Sequence, residues 1–443
     1  MPLTKRFLDD QTIFSEKLFD NGARVNDKTL PLDKPFDYGG KTKIRGVNLG
    51  GWLVTEPFIT PKLFEEFPLS DNVIDEWSLC AKLGPEKAKE RLEKHYDSFV
   101  KEEDFKKIAS MGLNHVRIPL GHWAVRVFEG EPFVPYVSFK YLLRGVQWAR
   151  KYGLRVMVEL HTAPGSQNGW NHSGRTGTVG FLNGTMGREH ADQTLKIIEE
   201  LVDFFSAPEW APAAPLFGVL NEPAIYRLDH KELARDWYEA SYKTLRKDNP
   251  SGPWLTYHEG FLGLGPWKGF FNDPQKHYDR VIVETHTYLI FDATLVSKPK
   301  DEQALFPCTG WLPDLSKSMN ETGPIMVGEF SVATNDCGKF LNGVGLGTRY
   351  EGTLSINGEL QKAVCKNCTC PTEDWHKFDK DTKLFLAKFA QRQMDAFERT
   401  YGWFFWTYKT EDHVNPHWDY LLGYEQGWMP KDASAPPYNC RTK

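Results

Sequence analysis

Long hydrophobic runs are missing from this sequence, and no window is apolar enough to form a transmembrane helix. An excess of one charge is missing too. Lys and Arg number 54 against 59 Asp and Glu, leaving a net charge of −5. Nothing here forms the basic face that holds nucleic acid or an anionic membrane. No Gly-x-Gly-x-x-Gly follows the first strand-like run, so a dinucleotide-binding fold has no support. No His-Glu-x-x-His is present and the histidines fall on separate strand-like runs, which argues against a metal-dependent hydrolase. Short-period repeats and low-complexity tracts are absent. Met1-Pro2-Leu3-Thr4-Lys5-Arg6 has no apolar h-region, so no signal peptide is expected at this end.

Cysteine is scarce and odd in number, with seven residues at 80, 308, 337, 365, 368, 370 and 440. At most three disulfides form and one thiol is left over. Cys365-x2-Cys368-x-Cys370 has half of a zinc spacing, but no second Cys/His pair at ligand spacing accompanies it, so no metal is expected. Sequons begin at Asn171, Asn183, Asn320 and Asn367. Together with the cysteines they favour a secreted protein.

What the chain does have is length and aromatics. Its 443 residues are 40% hydrophobic, with 15 Trp, 17 Tyr and 29 Phe. That suffices for a large core and for aromatic platforms that stack on sugar rings. Residues 1–40 read as an irregular polar arm lying on the domain. From there short apolar runs alternate with helical periodicity. The runs fall at 43–48, 114–119, 154–161, 216–222, 254–258, 280–288, 324–329 and 402–406. Between them, Phe105, Ile108 and Met111 mark one helix. Phe139, Leu142, Leu143 and Val146 mark another, and Leu233, Trp237 and Ala240 a third. Residues 335–380 read as a long insertion bearing Gly and Cys. Eight strand–helix units predict an α/β fold with one closed (β/α)8 barrel over 41–443.

In such a barrel the C-terminal strand ends carry the chemistry. Leu216-Phe217-Gly218-Val219-Leu220-Asn221-Glu222-Pro223 is a buried strand that stops at a proline, which disfavours helix at Glu222. Ile325-Met326-Val327-Gly328-Glu329-Phe330 has the same shape. Two strand-tip glutamates are what a retaining glycosidase needs, one as acid/base and one as nucleophile. Asn48, Arg117, His161, His258 with Glu259, His286, Tyr288 and Trp406 occupy the other strand ends. The nucleophile must stay ionised, and Arg117 is the candidate cation for that.

These motifs resemble glycoside hydrolase family 5, and within it the fungal exo-β-1,3-glucanases. The resemblance rests on Asn221-Glu222-Pro223, Gly328-Glu329-Phe330, Arg117, His161, His286-x-Tyr288 and Trp406. The stretches 45–57, 161–169, 336–344 and 349–350 also carry it. It spans roughly 41–443. The resemblance implies Glu222 as acid/base and Glu329 as nucleophile. Arg117, Asn221, His286 and Tyr288 would orient and tune them. Glu56, His161 and Trp406 would hold the terminal glucose. Phe291 would be one jaw of an entrance clamp, with Trp170 in the place of its usual Phe partner. No cofactor is implied. The implied substrate is a β-glucan or β-glucoside, and a secreted or wall-associated monomer is expected. Family disulfides map to Cys308–Cys440 and to Cys337 with one of Cys365, Cys368 or Cys370. Cys80 is then free, and the two extra loop cysteines are left to pair with each other.

Three departures bear on the leaving-group side. Phe330 stands where Trp is usual, Gly-Trp-Asn-His-Ser replaces Gly-Phe-Asp-Asn-Ser, and the N-terminal arm is longer. They keep a second substrate in view, a β-1,6-glucan or a disaccharide glycoside, and more remotely a non-catalytic glucan-binding wall protein. A glycan at Asn171 would obstruct the entrance, so that sequon is expected to be unused.

Overall fold

Eight parallel strands close into a barrel in this computed structural model, which describes residues 11–14, 16–356 and 358–441. They are β1 Ile44–Asn48, β2 His115–Leu120, β3 Arg155–Leu160, β4 Leu216–Gly218, β5 Trp254–His258, β6 Val281–His286, β7 Ile325–Glu329 and β10 Gly402–Phe405. A small antiparallel hairpin, β8 Ser355–Ile356 and β9 Glu359–Leu360, lies in the insertion. Neighbours follow chain order around the barrel, and β10 closes it against β1. The fold is a single (β/α)8 barrel. Its strands are buried on both faces, so β2 and β3 read as nearly unbroken buried runs.

The barrel interior is layered. At the bottom Ile44, Met157, Leu216, Ile282, Met326 and Phe404 form an apolar plug. Tyr38, from the segment before β1, joins this plug, and its hydroxyl lies 3.1 Å from Nε2 of His115. Above it, glycines make room for large side chains. A Cβ at Gly46 would stand 2.4 Å from the Phe404 ring. One at Gly218 would meet Glu159, and one at Gly328 would meet Glu284 at 1.8 Å. The inward side chains of the upper barrel are therefore polar.

The segment before β1 is fastened to the outside of the barrel. Arg155 donates to the carbonyls of Pro31 and Lys34 at 3.1 and 3.0 Å, and Gln147 to that of Ile13 at 2.8 Å. The helix Val137–Lys151 buries Phe139, Leu142, Leu143 and Val146 against the strands, as their spacing predicts. The helix Glu232–Asp248 corrects the expected face. It buries Ala234, Trp237, Tyr238, Ser241, Tyr242 and Leu245, while Leu233 is 38% exposed. Trp237 is buried as expected, while Leu233 and Ala240 are exposed and their neighbours Ala234 and Ser241 take the buried face.

Disulfides join Cys308 to Cys440, Cys337 to Cys370, and Cys365 to Cys368, and Cys80 is free and buried. The half-zinc spacing is thus taken up by two disulfides. Among the described residues no helix is long and apolar enough to cross a membrane.

Candidate active site

The tip of β4 is built to aim one carboxylate. Regular pairing ends at Gly218, yet the amide of Asn221 still donates to the carbonyl of Leu160 at 2.9 Å. Glu222 then turns left-handed, at φ 45°. A non-glycine residue there costs about 1–2 kcal/mol. The loop after β3 holds it. Gln167 Nε2 donates to the carbonyls of His161 and Asn221 at 2.7 and 2.9 Å. Asn168 Nδ2 donates to the carbonyl of Glu222 at 3.2 Å.

Glu329, at the tip of β7, is held differently. Arg117 Nη1 donates to its Oε1 at 2.9 Å and the Tyr288 hydroxyl to its Oε2 at 2.7 Å. Arg117 is fully buried. It also donates to Oδ1 of Asn48 and Oδ1 of Asn221, both at 2.8 Å, and makes ion-pair contacts with Glu159 at 3.2 Å and Glu284 at 3.3 Å. Burial works against its charge, but Glu159, Glu284 and Glu329 outweigh burial and keep it protonated.

His286 joins the two glutamates. Its Nδ1 lies 2.5 Å from Oε1 of Glu222 and 3.4 Å from Oε2 of Glu329, and its Nε2 lies 3.2 Å from Oε1 of Glu284. Burial opposes protonation, but the surrounding carboxylates raise its pKa to about 10. It is an imidazolium that donates from both nitrogens. The sum of its contacts, 2.5 and 3.4 Å, caps the gap between those two carboxyl oxygens at 5.9 Å.

The two glutamates titrate as a pair. Burial raises both. For Glu222 the adjacent imidazolium outweighs burial and holds it below the usual carboxylate range. For Glu329 burial and the charge on Glu222 win over His286 and Arg117, and it stays above that range.

Around this pair lies a pocket of uncommitted polar groups. Glu56 is buried, and its Oε1 has no hydrogen-bond partner among the described residues. Burial, then the charges of Glu329 and Glu222, push its pKa well up. His161 donates from Nδ1 to Glu159 at 2.9 Å, leaving Nε2 as an acceptor 3.4 Å from Asn221 Nδ2. Burial lowers its pKa to about 3, so it is neutral. Trp406 stacks on His161 at 5.7 Å and 5°. Gly50 leaves room for that indole, since a Cβ there would stand 2.7 Å from it.

At the rim, Phe291 is 62% exposed beside Tyr288, with Arg349 over its ring. Trp170 is half-buried against His172 and Phe261. Phe330 is a correction. It does not face the leaving-group side but is fully buried among Phe397, Trp403 and Phe405 in the barrel wall. Strand alternation explains this, because Glu329 points in and its successor points out.

The sequence reading overlooked Glu159, Glu284 and His172. The first two lie two residues before His161 and His286 on the same strands, so period-two alternation was the available signal. His172 lies in the loop after β3, inside the Gly-Trp-Asn-His-Ser departure, which marked the stretch but gave this residue no role. Among the described residues, Glu222, His258 and His286 bring possible metal-ligand atoms within 4.8 Å of one another. His286, donating to carboxylates from both nitrogens, has no lone pair to offer a cation.

A closed parallel barrel with buried carboxylates at its C-terminal rim places the protein among the (β/α)8-barrel enzymes. The model of the cellulase family, glycosyl hydrolase family 5, matches residues 85–343. The chain belongs to glycoside hydrolase family 5. It is 41% identical over 434 residues to a probable glucan 1,3-beta-glucosidase D of Aspergillus terreus, covering 95% of this chain and 50% of that protein. It is 39% identical over 432 residues to the protein of the same name from Aspergillus fumigatus, covering 95% and 51%. The chain thus spans about half the length of the curated relatives it matches. Among solved structures, a rutinosidase from Aspergillus niger shares the fold, with a TM-score of 0.65 at 18% identity, covering 89% of this chain and 100% of that one.

Proposed function

We propose that the protein is a retaining β-glucosidase that releases glucose from the non-reducing end of β-1,3-glucan. The observation that carries the reading is the glutamate pair spanned by His286, with the nearer oxygens no more than 5.9 Å apart. Retaining enzymes separate their carboxyls by about 5–5.5 Å and inverting ones by about 6.5–9.5 Å. The names of the fungal relatives support the substrate. The three disulfides support an oxidising compartment outside the cell.

In this reading the terminal glucose sits over Glu329. Glu56 and His161 accept or donate to its hydroxyls, and Trp406 walls the pocket. Positive charge developing at the anomeric carbon favours the ionised Glu329, while Glu222 carries the proton that the leaving oxygen takes. His286, within 3.4 Å of both carboxyls, ties the two together. Glu329 attacks the anomeric carbon as the C–O bond breaks and Glu222 protonates the departing oxygen. Glu222 then takes a proton from water, which attacks the glycosyl-enzyme and frees Glu329. Asn221, Arg117 and Tyr288 orient the two carboxylates through the contacts above. Trp170 and Phe291 form the rim against which the next sugar stacks.

Product analysis on a linear β-1,3-glucan tests this. Glucose alone from the earliest times, absent with Glu329→Gln, is the expected result. A ladder of oligosaccharides would mean an endo enzyme. Activity confined to a β-1,6-glucan or a disaccharide glycoside would overturn the substrate while keeping the carboxylates.

A further inference from the structure

His172 occupies a short turn, Asn171–Ser173, in the loop after β3. Its Nε2 lies 3.4 Å from Oε2 of Glu222, the oxygen that His286 leaves free. Its ring lies 5.6 Å from those of His161 and Trp170. Nδ1 is buried with no hydrogen-bond partner among the described residues. The charged and titratable groups facing the imidazole are Glu222 on the β4 loop, Glu159 on β3, His161 just beyond it, and His286 on β6. Burial lowers its pKa to about 4, so it adds no second cation beside Glu222.

Hydrogen bonds tie the turn to the backbone of Glu222. Ser166 and Ser173 share a hydroxyl contact of 2.6 Å, and Ser166 Oγ accepts from the amide of Gly169 at 2.8 Å. Asn168 Oδ1 accepts from the amide of Trp170 at 2.9 Å, while its Nδ2 reaches the carbonyl of Glu222.

We propose that His172 is a positioning residue for the acid, holding the carboxyl plane of Glu222 so that Oε2 faces the leaving-group oxygen. The inference rests on Glu222 being the acid. In that step the glycosidic C–O bond breaks, an oxygen of Glu329 bonds to the anomeric carbon, and the proton on Oε2 passes to the leaving oxygen, which departs as an alcohol. Demand for that proton depends on the leaving group. A dinitrophenolate departs without it, whereas a sugar alkoxide does not.

The test compares His172→Ala on dinitrophenyl β-glucoside and on a β-1,3-linked glucose disaccharide. With misplacement of a catalytic group costing about 100-fold, kcat/KM on the disaccharide should fall by roughly that factor and on the aryl glucoside by no more than about threefold. His172→Gln, whose amide nitrogen can occupy the place of Nε2, should restore most of the loss. Equal losses on both substrates, or none on either, overturn the proposal, as does a glutamine variant no better than alanine. Glu222→Ala is run alongside. If that variant shows no dependence on the leaving group, the acid assignment itself fails, and this outcome is separate from failure at His172.

Discussion

One nitrogen of His286 lies 2.5 Å from Glu222 and 3.4 Å from Glu329, so a single imidazolium serves both carboxylates. Removing its charge takes away the largest effect that opposes burial at Glu222, and the pKa of Glu222 rises. In His286→Gln the basic limb of the kcat/KM profile should move to higher pH. The rate at the optimum should fall about 100-fold or more as acid catalysis is impaired. A slower enzyme with an unmoved basic limb would show that this limb does not report Glu222.

Arg117 is the cation at the barrel's centre, facing Glu159, Glu284 and Glu329. Arg117→Met leaves three buried carboxylates without it and should lower the unfolding free energy by about 3–5 kcal/mol, read by denaturant titration. Arg117→Lys should keep part of that stability but lose activity. An ammonium cannot reproduce the fork that spans Asn48, Asn221 and Glu329. A lysine variant with wild-type kcat/KM would contradict this.

The layout of the barrel was legible because parallel strands buried on both faces leave continuous apolar runs. All eight barrel strands fall where those runs predicted. Several strand-tip residues were legible for the same reason, since a proline or a glycine marks the end of runs such as Asn221-Glu222-Pro223 and His258-Glu259-Gly260. The inward residues one layer lower were harder to see. Glu159 and Glu284 sit inside apolar runs and their companions, Gly218 and Gly328, lie on neighbouring strands, so only the closed barrel shows that they fit together. Phe330 was misplaced because a motif position says nothing of which side of the wall a side chain takes. The hairpin Ser355–Ile356 with Glu359–Leu360 is too short to leave a pattern. The pairing of Cys337 with Cys370 depended on how the insertion folds. Asp336 fixes that insertion by accepting the amides of Arg349 and Tyr350 at 2.7 and 2.9 Å.

Glu76 links stability to pH. Its Oε2 accepts the amide and hydroxyl of Thr55, next to Glu56, at 2.8 and 3.0 Å. Burial, partly offset by those donors, raises its pKa from 4.5 to about 7. The folded state therefore binds this proton more tightly than the unfolded chain. The stabilisation is complete below pH 4.5 and is lost as pH rises to about 7, an effect of about 3 kcal/mol. In Glu76→Gln that loss is absent, so the variant's unfolding free energy relative to wild type should climb between pH 5 and pH 8. A constant difference would mean Glu76 is ionised throughout.

The disulfides differ in the chain length they close. Cys308–Cys440 spans 132 positions and Cys365–Cys368 spans three. On chain entropy, replacing the first pair with alanine should cost about 5 kcal/mol and the second about 2 kcal/mol. Thermal unfolding of the two double variants checks the order, and equal losses would remove the entropic explanation.

The central claim is that Glu329 forms a bond to the sugar. Incubating the protein with a fluorinated glucosyl fluoride slows hydrolysis of the glycosyl-enzyme enough to trap it, and peptide mass spectrometry locates the label. The account predicts one glucosyl adduct per chain, on Glu329, formed more slowly in Arg117→Lys. A label on Glu222, or turnover with inversion and no adduct, would contradict it.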